Sequence, residues 1–128
     1  MILGIGTDLV EIQRIRDSIA KGNRLARRIL TPAEQSYVEE KQDPAPFIAA
    51  RFAAKEAILK ALGTGLADGI NWTDMEIQRD AKGAPSVHLS GRAAEIATTK
   101  GVQTIHISLS HTRNQALAFA LAEGNPPQ

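Results

Sequence analysis

"RFAAKEAILKALG", Arg51 to Gly63, decides how the rest of the chain is arranged. Its alanines, leucines and isoleucines read as most of one long helix, opened by Asp43-Pro44 and ended at Gly63, where glycine is the usual residue past a helix end. At about 100° per residue, Phe47, Ala54 and Ile58 gather opposite Phe52, Glu56, Lys60 and Gly63, so both sides are apolar. A helix that is apolar nearly all round is buried, and other elements must pack around it. Yet it carries Arg51, Lys55, Glu56 and Lys60.

A bare carboxylate in such surroundings must be neutralised, paired or bound to a metal. The plain reading of Glu56 is a pair with Lys60 four residues on, contributing about 0.2–0.5 kcal/mol. The chemical reading makes Glu56 a hard oxygen ligand for a divalent cation, with Lys55, Lys60 and Arg51 placed for phosphate oxygens. Magnesium is commonly held by one or two carboxylates, substrate phosphates and water, so a second carboxylate is needed. Asp8 is the best candidate. In residues 2 to 10, Leu3, Ile5 and Leu9 fall on one side of a strand, with Gly4, Gly6 and Asp8 on a face otherwise stripped of side chains. Taken alone, Asp8 is equally a strand-end residue, and the two glycines equally mark a tight packing contact.

Working outward, Ile12, Ile15 and Ile19 follow at helical spacing, and a short basic helix starts after Gly22-Asn23, with Asn23 as its expected cap. Thr31-Pro32-Ala33-Glu34 reads as a capping box with proline at the first helical position. "TGLADGIN" is a loop. Strands are expected from Trp72 to about Arg79 and from Ser86 to Leu89, a helix from Ser90-Gly91 to near Gly101, then strands Thr104 to Ser110 and Gln115 to Ala122. "GNPPQ" is expected to fray. The 128 residues suit one domain, residues 1–128, of the α+β class, with an antiparallel sheet packed against the long helix. Gly63-Thr64-Gly65 follows a helix C-terminus, whose partial negative charge repels anions, so it reads as a cap and turn and not as a phosphate cradle.

Composition narrows the function classes. The chain has no cysteine, which excludes disulfides and thiol catalysis and is compatible with a reducing cytoplasm. The start "MILGIGTDLVEI" makes a poor signal peptide, and "ALAFALA" falls far short of the roughly 20 apolar residues of a membrane helix. Aromatics are 4%, too few for a single-stranded nucleic-acid surface. The net charge of +1 is uneven: Arg14 to Arg28 holds six cations against Asp17 alone, a local +5 that leaves the remainder at −4. Such a segment is a solvated basic face or a surface for an acidic partner.

"GIGTDLVEIQRI" (residues 4–15) together with "RFAAKEAILKALGTG" (residues 51–65) resembles the paired signature of the phosphopantetheinyl transferases. The second motif, [F/W]xxKExxxK, runs from Phe52 to Lys60. With "ISLSHTRNQALAFA" (residues 107–120) near the end, the likeness extends over nearly the whole chain and is to the family's short type. It implies that the 4'-phosphopantetheine arm of coenzyme A moves to a serine of an acyl carrier protein in fatty-acid biosynthesis, with magnesium as cofactor. Asp8 and Glu56 match the family's metal-binding carboxylates. Lys60 matches the lysine expected near the pyrophosphate, with Lys55 beside it, and Arg51 and His111 fall where members contact coenzyme A. His88 and His106 read as ordinary strand residues. Carrier proteins are small and acidic, and in this family the basic helix after the first motif docks them, which nominates Arg14, Arg24 and Arg28, with Arg27 in reserve. Members are usually homotrimers with active sites between subunits. A noncatalytic module holding an acidic partner, or a metal-dependent phosphohydrolase, would use some of the same residues.

Overall fold

In the computed structural model, which describes residues 1–127, strand β1 (Ile2–Glu11) leads into helices α1 (Ile12–Ala20), α2 (Arg24–Ile29) and α3 (Pro32–Glu39). The long helix α4 (Ala45–Leu62) follows, then a hairpin of β2 (Met75–Arg79) and β3 (Pro85–Leu89), helix α5 (Gly91–Thr99), and strands β4 (Val102–His111) and β5 (Gln115–Gly124). The strands β1, β5 and β4 form one antiparallel sheet in the order β1-β5-β4, and β2 and β3 form a second. This is the expected α+β arrangement.

The three-stranded sheet lies directly on α4, and small residues make that possible. On β5, Ala116, Ala118, Ala120 and Ala122 are fully buried on the face that meets the helix. On β1, Gly4 and Gly6 stand opposite Ala122 and Ala120. A Cβ on Gly4 would lie 1.9 Å from the Ala61 carbonyl oxygen, and one on Gly6 2.0 Å from that of Ala57. The backbone of β1 therefore rests against the backbone of α4, and Asp8, two residues beyond Gly6 on the same face, is carried over the second half of the helix.

The C-terminal end of α4 is finished locally. Gly63 is left-handed (φ 77°), the Gly63 amide donates to the Lys60 carbonyl (3.1 Å) and the Thr64 amide to that of Leu59 (3.2 Å), the paired bonds of a Schellman cap. Lys100 Nζ adds a bond to the Leu62 carbonyl. Asp43 lies outside the helix and binds Arg16 (2.6 Å).

Several local expectations shift. Asn23 precedes α2, but in a left-handed conformation (φ 59°); its amide closes the turn by donating to the Ser18 carbonyl (2.8 Å), and its side chain makes no cap. Trp72–Asp74 is a short 3-10 turn and not strand, because the Asp74 carboxylate accepts from the Asn71 amide (3.2 Å) and from the Ala93 amide at the start of α5 (3.3 Å). Gly124 belongs to β5, and the Asn125 amide donates to the Gly101 carbonyl (3.0 Å), so the first two residues of the tail are paired where fraying was expected; Gln128 lies outside the described residues. The Thr31–Glu34 capping box is present in full.

The outer face of the sheet is different in kind. Ile5, Leu9, Leu117 and Phe119 project from β1 and β5 away from α4, each between 41% and 61% exposed. The register sets Leu9 opposite Leu117 and Thr7 opposite Phe119, so these side chains form one stripe. Among the described residues no helix is long and apolar enough to cross a membrane.

Candidate active site

Period-two alternation in β1 and the helical repeat in α4 bring Asp8, Glu56 and Lys60 together. Lys60 Nζ donates to the Thr7 carbonyl (2.8 Å) and approaches Asp8 Oδ1 (3.4 Å). Lys60 thus reaches across to β1 and makes no pair with Glu56 among the described residues. Its side chain is 53% exposed, so the contact with Asp8 adds little stability and leaves the ammonium open to a ligand.

Glu56 is half-buried and has no hydrogen-bond donor among the described residues. Burial first, and then the charge of Asp8, hold its carboxyl above the usual carboxylate range, while Lys60 and Arg14 draw it back down. Two carboxylates near enough to repel, one with all its lone pairs free, form a hard-oxygen donor pair for a cation. The donor set fits magnesium, provided a substrate's phosphates and water complete the shell. Among the described residues no group of three or more acids, histidines or cysteines assembles, so the protein alone offers only part of a coordination sphere.

Arg14, nominated for partner docking, has a second relation that the sequence did not reveal. Its guanidinium stands 5.3 Å from the centroid of the Phe52 ring, the first position of the second motif, and its charge is felt at Glu56. Arg14, Lys21 and Arg24 line one open groove with Asp17 and Ser18. Arg27 and Arg28 are exposed on α2.

The remaining nominated residues lie elsewhere. Lys55 is a correction: it is fully buried, and its ammonium donates to the Ile29 carbonyl, to Glu34 Oε1 (2.7 Å) and to the Trp72 carbonyl (3.3 Å). Three oxygens use its three hydrogens, and none is left for a phosphate. Desolvation lowers its pKa from the ordinary lysine value, and Glu34 opposes that. Arg51 is buried on the flank of α4 that faces α3, its guanidinium 4.3 Å from the Tyr37 ring centroid and donating to the Phe47 carbonyl (3.3 Å), with Nε unpartnered. Lys41 (4.5 Å) and Arg79 (5.9 Å) approach the same ring. His111, at the end of β4, shares an open groove with Arg16, Asp43 and Arg113. Within one chain, Arg51 and His111 do not join the Asp8–Glu56–Lys60 cluster.

The chain resembles known proteins over nearly its whole length. The profile of the 4'-phosphopantetheinyl transferase superfamily matches residues 4–121. A holo-acyl-carrier-protein synthase of Maridesulfovibrio salexigens is 48% identical over 124 residues, 96% of this chain and 99% of the relative. The crystal structure of the Neisseria meningitidis synthase of that name superposes with a TM-score of 0.87 at 38% identity, covering 96% of this chain and 99% of that one. The Helicobacter pylori synthase, solved in complex with coenzyme A, gives 0.82 at 30% identity, covering 93% and 99%. The chain belongs to the 4'-phosphopantetheinyl transferase superfamily.

Proposed function

We infer that the protein is a holo-acyl-carrier-protein synthase: it transfers 4'-phosphopantetheine from coenzyme A to a serine of an apo acyl carrier protein and releases adenosine 3',5'-bisphosphate. The observation that carries this reading is the seating of Asp8 beside Glu56 and Lys60 by β1 packed on α4, in a chain that matches synthases of that name over 96% of its length. In the reaction the serine oxygen forms a bond to the phosphorus that bears the pantetheine arm. The bond from that phosphorus to the oxygen bridging the two phosphates breaks, and the adenosine bisphosphate leaves with the electron pair.

Phosphoryl transfer needs positioning and charge neutralisation more than covalent catalysis. Asp8 and Glu56 would hold magnesium, which supplies charge neutralisation at the pyrophosphate. Lys60 adds a half-exposed cation at the same place. Glu56, whose carboxylate meets no donor among the described residues, accepts the serine proton, directly or through a water. His111, exposed at the end of β4 and apart from Asp8 within one chain, contacts coenzyme A in the site of a neighbouring subunit, whereas Arg51, 2% exposed and turned to Tyr37, is engaged in the packing of α4 on α3. That arrangement accords with a homotrimer whose sites lie between subunits, located in the cytoplasm.

The test is to incubate the protein with apo carrier protein, coenzyme A and magnesium and weigh the carrier by mass spectrometry. A carrier heavier by one phosphopantetheine is the expected result. Phosphate release without carrier modification would point to a hydrolase, and complex formation alone to a noncatalytic module. Reversing charge at Arg14 and Arg24 together is expected to raise the KM for carrier about ten-fold or more, the loss of two charge-assisted contacts, with coenzyme A affinity little changed. Equal loss of both would mean that the basic groove is not the docking surface.

The outer stripe of the sheet supports self-association, since apolar side chains in one contiguous run mark interaction surfaces. Phe119→Glu is expected to convert the assembly to monomer by light scattering and to abolish turnover with it. A variant that stays trimeric would place the interface elsewhere.

A further inference from the structure

The signature lysine of the second motif has no free donor for substrate, and its acceptors show what it does instead. The Ile29 carbonyl belongs to the last residue of α2, Glu34 to the first turn of α3, and the Trp72 carbonyl to the 3-10 turn before β2. Glu34 in turn accepts from the Thr31 amide through Oε1 (2.9 Å) and from the Ile77 amide of β2 through Oε2 (2.9 Å). The two charges pair with each other; α2, α3 and the 3-10 turn meet α4 at this one ammonium, and β2 is joined to it through Glu34.

The link to α2 matters most. That helix has six residues, too few to hold its shape unaided, and its last carbonyls lack intrahelical partners. A cation at its C-terminus satisfies one of them and suits the helix dipole. The same helix presents Arg24, Arg27 and Arg28 to solvent. At the other end of the connection, Lys55 precedes Glu56 in a buried helix of eighteen residues.

We propose that Lys55, clamped by Glu34, is a positioning residue that fixes the arginine-bearing helix α2 relative to Glu56, so that a docked partner delivers its nucleophile to the carboxylate. This rests on the transferase reading given above. A displacement of about 1 Å between nucleophile and acceptor costs about 100-fold in rate, which makes such a strut consequential without any contact to substrate.

The experiment compares wild type with Lys55→Met and with the double variant Lys55→Met/Glu34→Gln, in which the neutral partner leaves no stranded carboxylate. Three quantities are read: amide hydrogen exchange across residues 24–30, coenzyme A affinity by calorimetry without carrier, and steady-state constants with carrier. In the double variant, expected to recover melting temperature over the single one, exchange in α2 rises, kcat/KM for carrier falls by about ten- to 100-fold, and coenzyme A affinity stays within about two-fold. Lys55→Arg, which keeps a cation for the Ile29 carbonyl, restores part of the loss. Unchanged exchange in α2 overturns the proposal, as does wild-type carrier turnover in a folded variant. So does a loss of coenzyme A affinity equal to the loss of turnover, which would return Lys55 to the phosphates. If wild type itself fails to load a carrier, the transferase reading falls, and the exchange measurement still decides whether Lys55 anchors α2.

Discussion

Glu56→Gln is expected to lower phosphopantetheine transfer by about 10²- to 10⁴-fold at saturating magnesium and coenzyme A, the range for losing a positioned general base. Stability should move the other way. In the native state Glu56 is half-buried beside Asp8 and without a hydrogen-bond donor, which raises its pKa above the unfolded value. A raised carboxyl pKa means that the native state binds the proton more tightly, so it is the ionised form, at pH above the native pKa, that costs stability. Glutamine removes that cost. In metal-free buffer at neutral pH the variant should therefore melt at or above wild type, with the difference closing as the pH falls below the ordinary carboxylate range. Full turnover in the variant, measured in a single-turnover assay, would remove Glu56 from the proton transfer. Lower stability would mean that its carboxylate has a bonded partner after all.

Gly6→Ala is expected to cost substantial stability through a single methyl group. The added Cβ would sit 2.0 Å from the Ala57 carbonyl oxygen and 2.9 Å from both the Ala61 amide nitrogen and Lys60 Cβ. Overpacking a core typically costs about 1–3 kcal/mol, and here the obstacle is helix backbone, which cannot swing aside as a side chain can. A loss of about 3 kcal/mol is expected, a fall in melting temperature of about 10 °C at matched protein concentration. Because Asp8 is two residues further along the same strand, lifting β1 also separates the carboxylates, and the folded fraction should need more magnesium for half-maximal rate. An unchanged melting curve would contradict the seating of β1 on α4.

What could be read in advance follows from how local each signal is. The face shared by Gly4, Gly6 and Asp8 is a matter of counting by two, and the structure puts that face on the helix. The Thr31–Glu34 box and the Gly63 cap depend on neighbours within five residues and are found as expected. The strand order β1-β5-β4 is not local, and only the finished sheet shows that the alternating alanines of β5 line the face against α4. Lys55 was misplaced for a related reason. An amphipathic helix announces its outer face, but α4 is apolar all round, so a lysine turned toward substrate and one turned toward a buried acid look alike in sequence. The deciding residue, Glu34, lies 21 positions earlier and already had a complete local explanation as a capping residue. Glu56 and Lys60 present the reverse case: their spacing suggested a pair within the helix, and β1 draws Lys60 away from it.

Strand β5 has two faces under unlike constraint. Its inner residues, Ala116, Ala118, Ala120 and Ala122, are held to the smallest side chain that still forms a core, because any longer one would push the sheet off the helix. Its outer residues, among them Leu117 and Phe119, face away from α4 and carry the apolar stripe. One strand therefore serves two distances at once: its inner side sets how close Asp8 comes to Glu56 within a subunit, and its outer side sets how copies of the chain meet, on which a site completed between subunits depends.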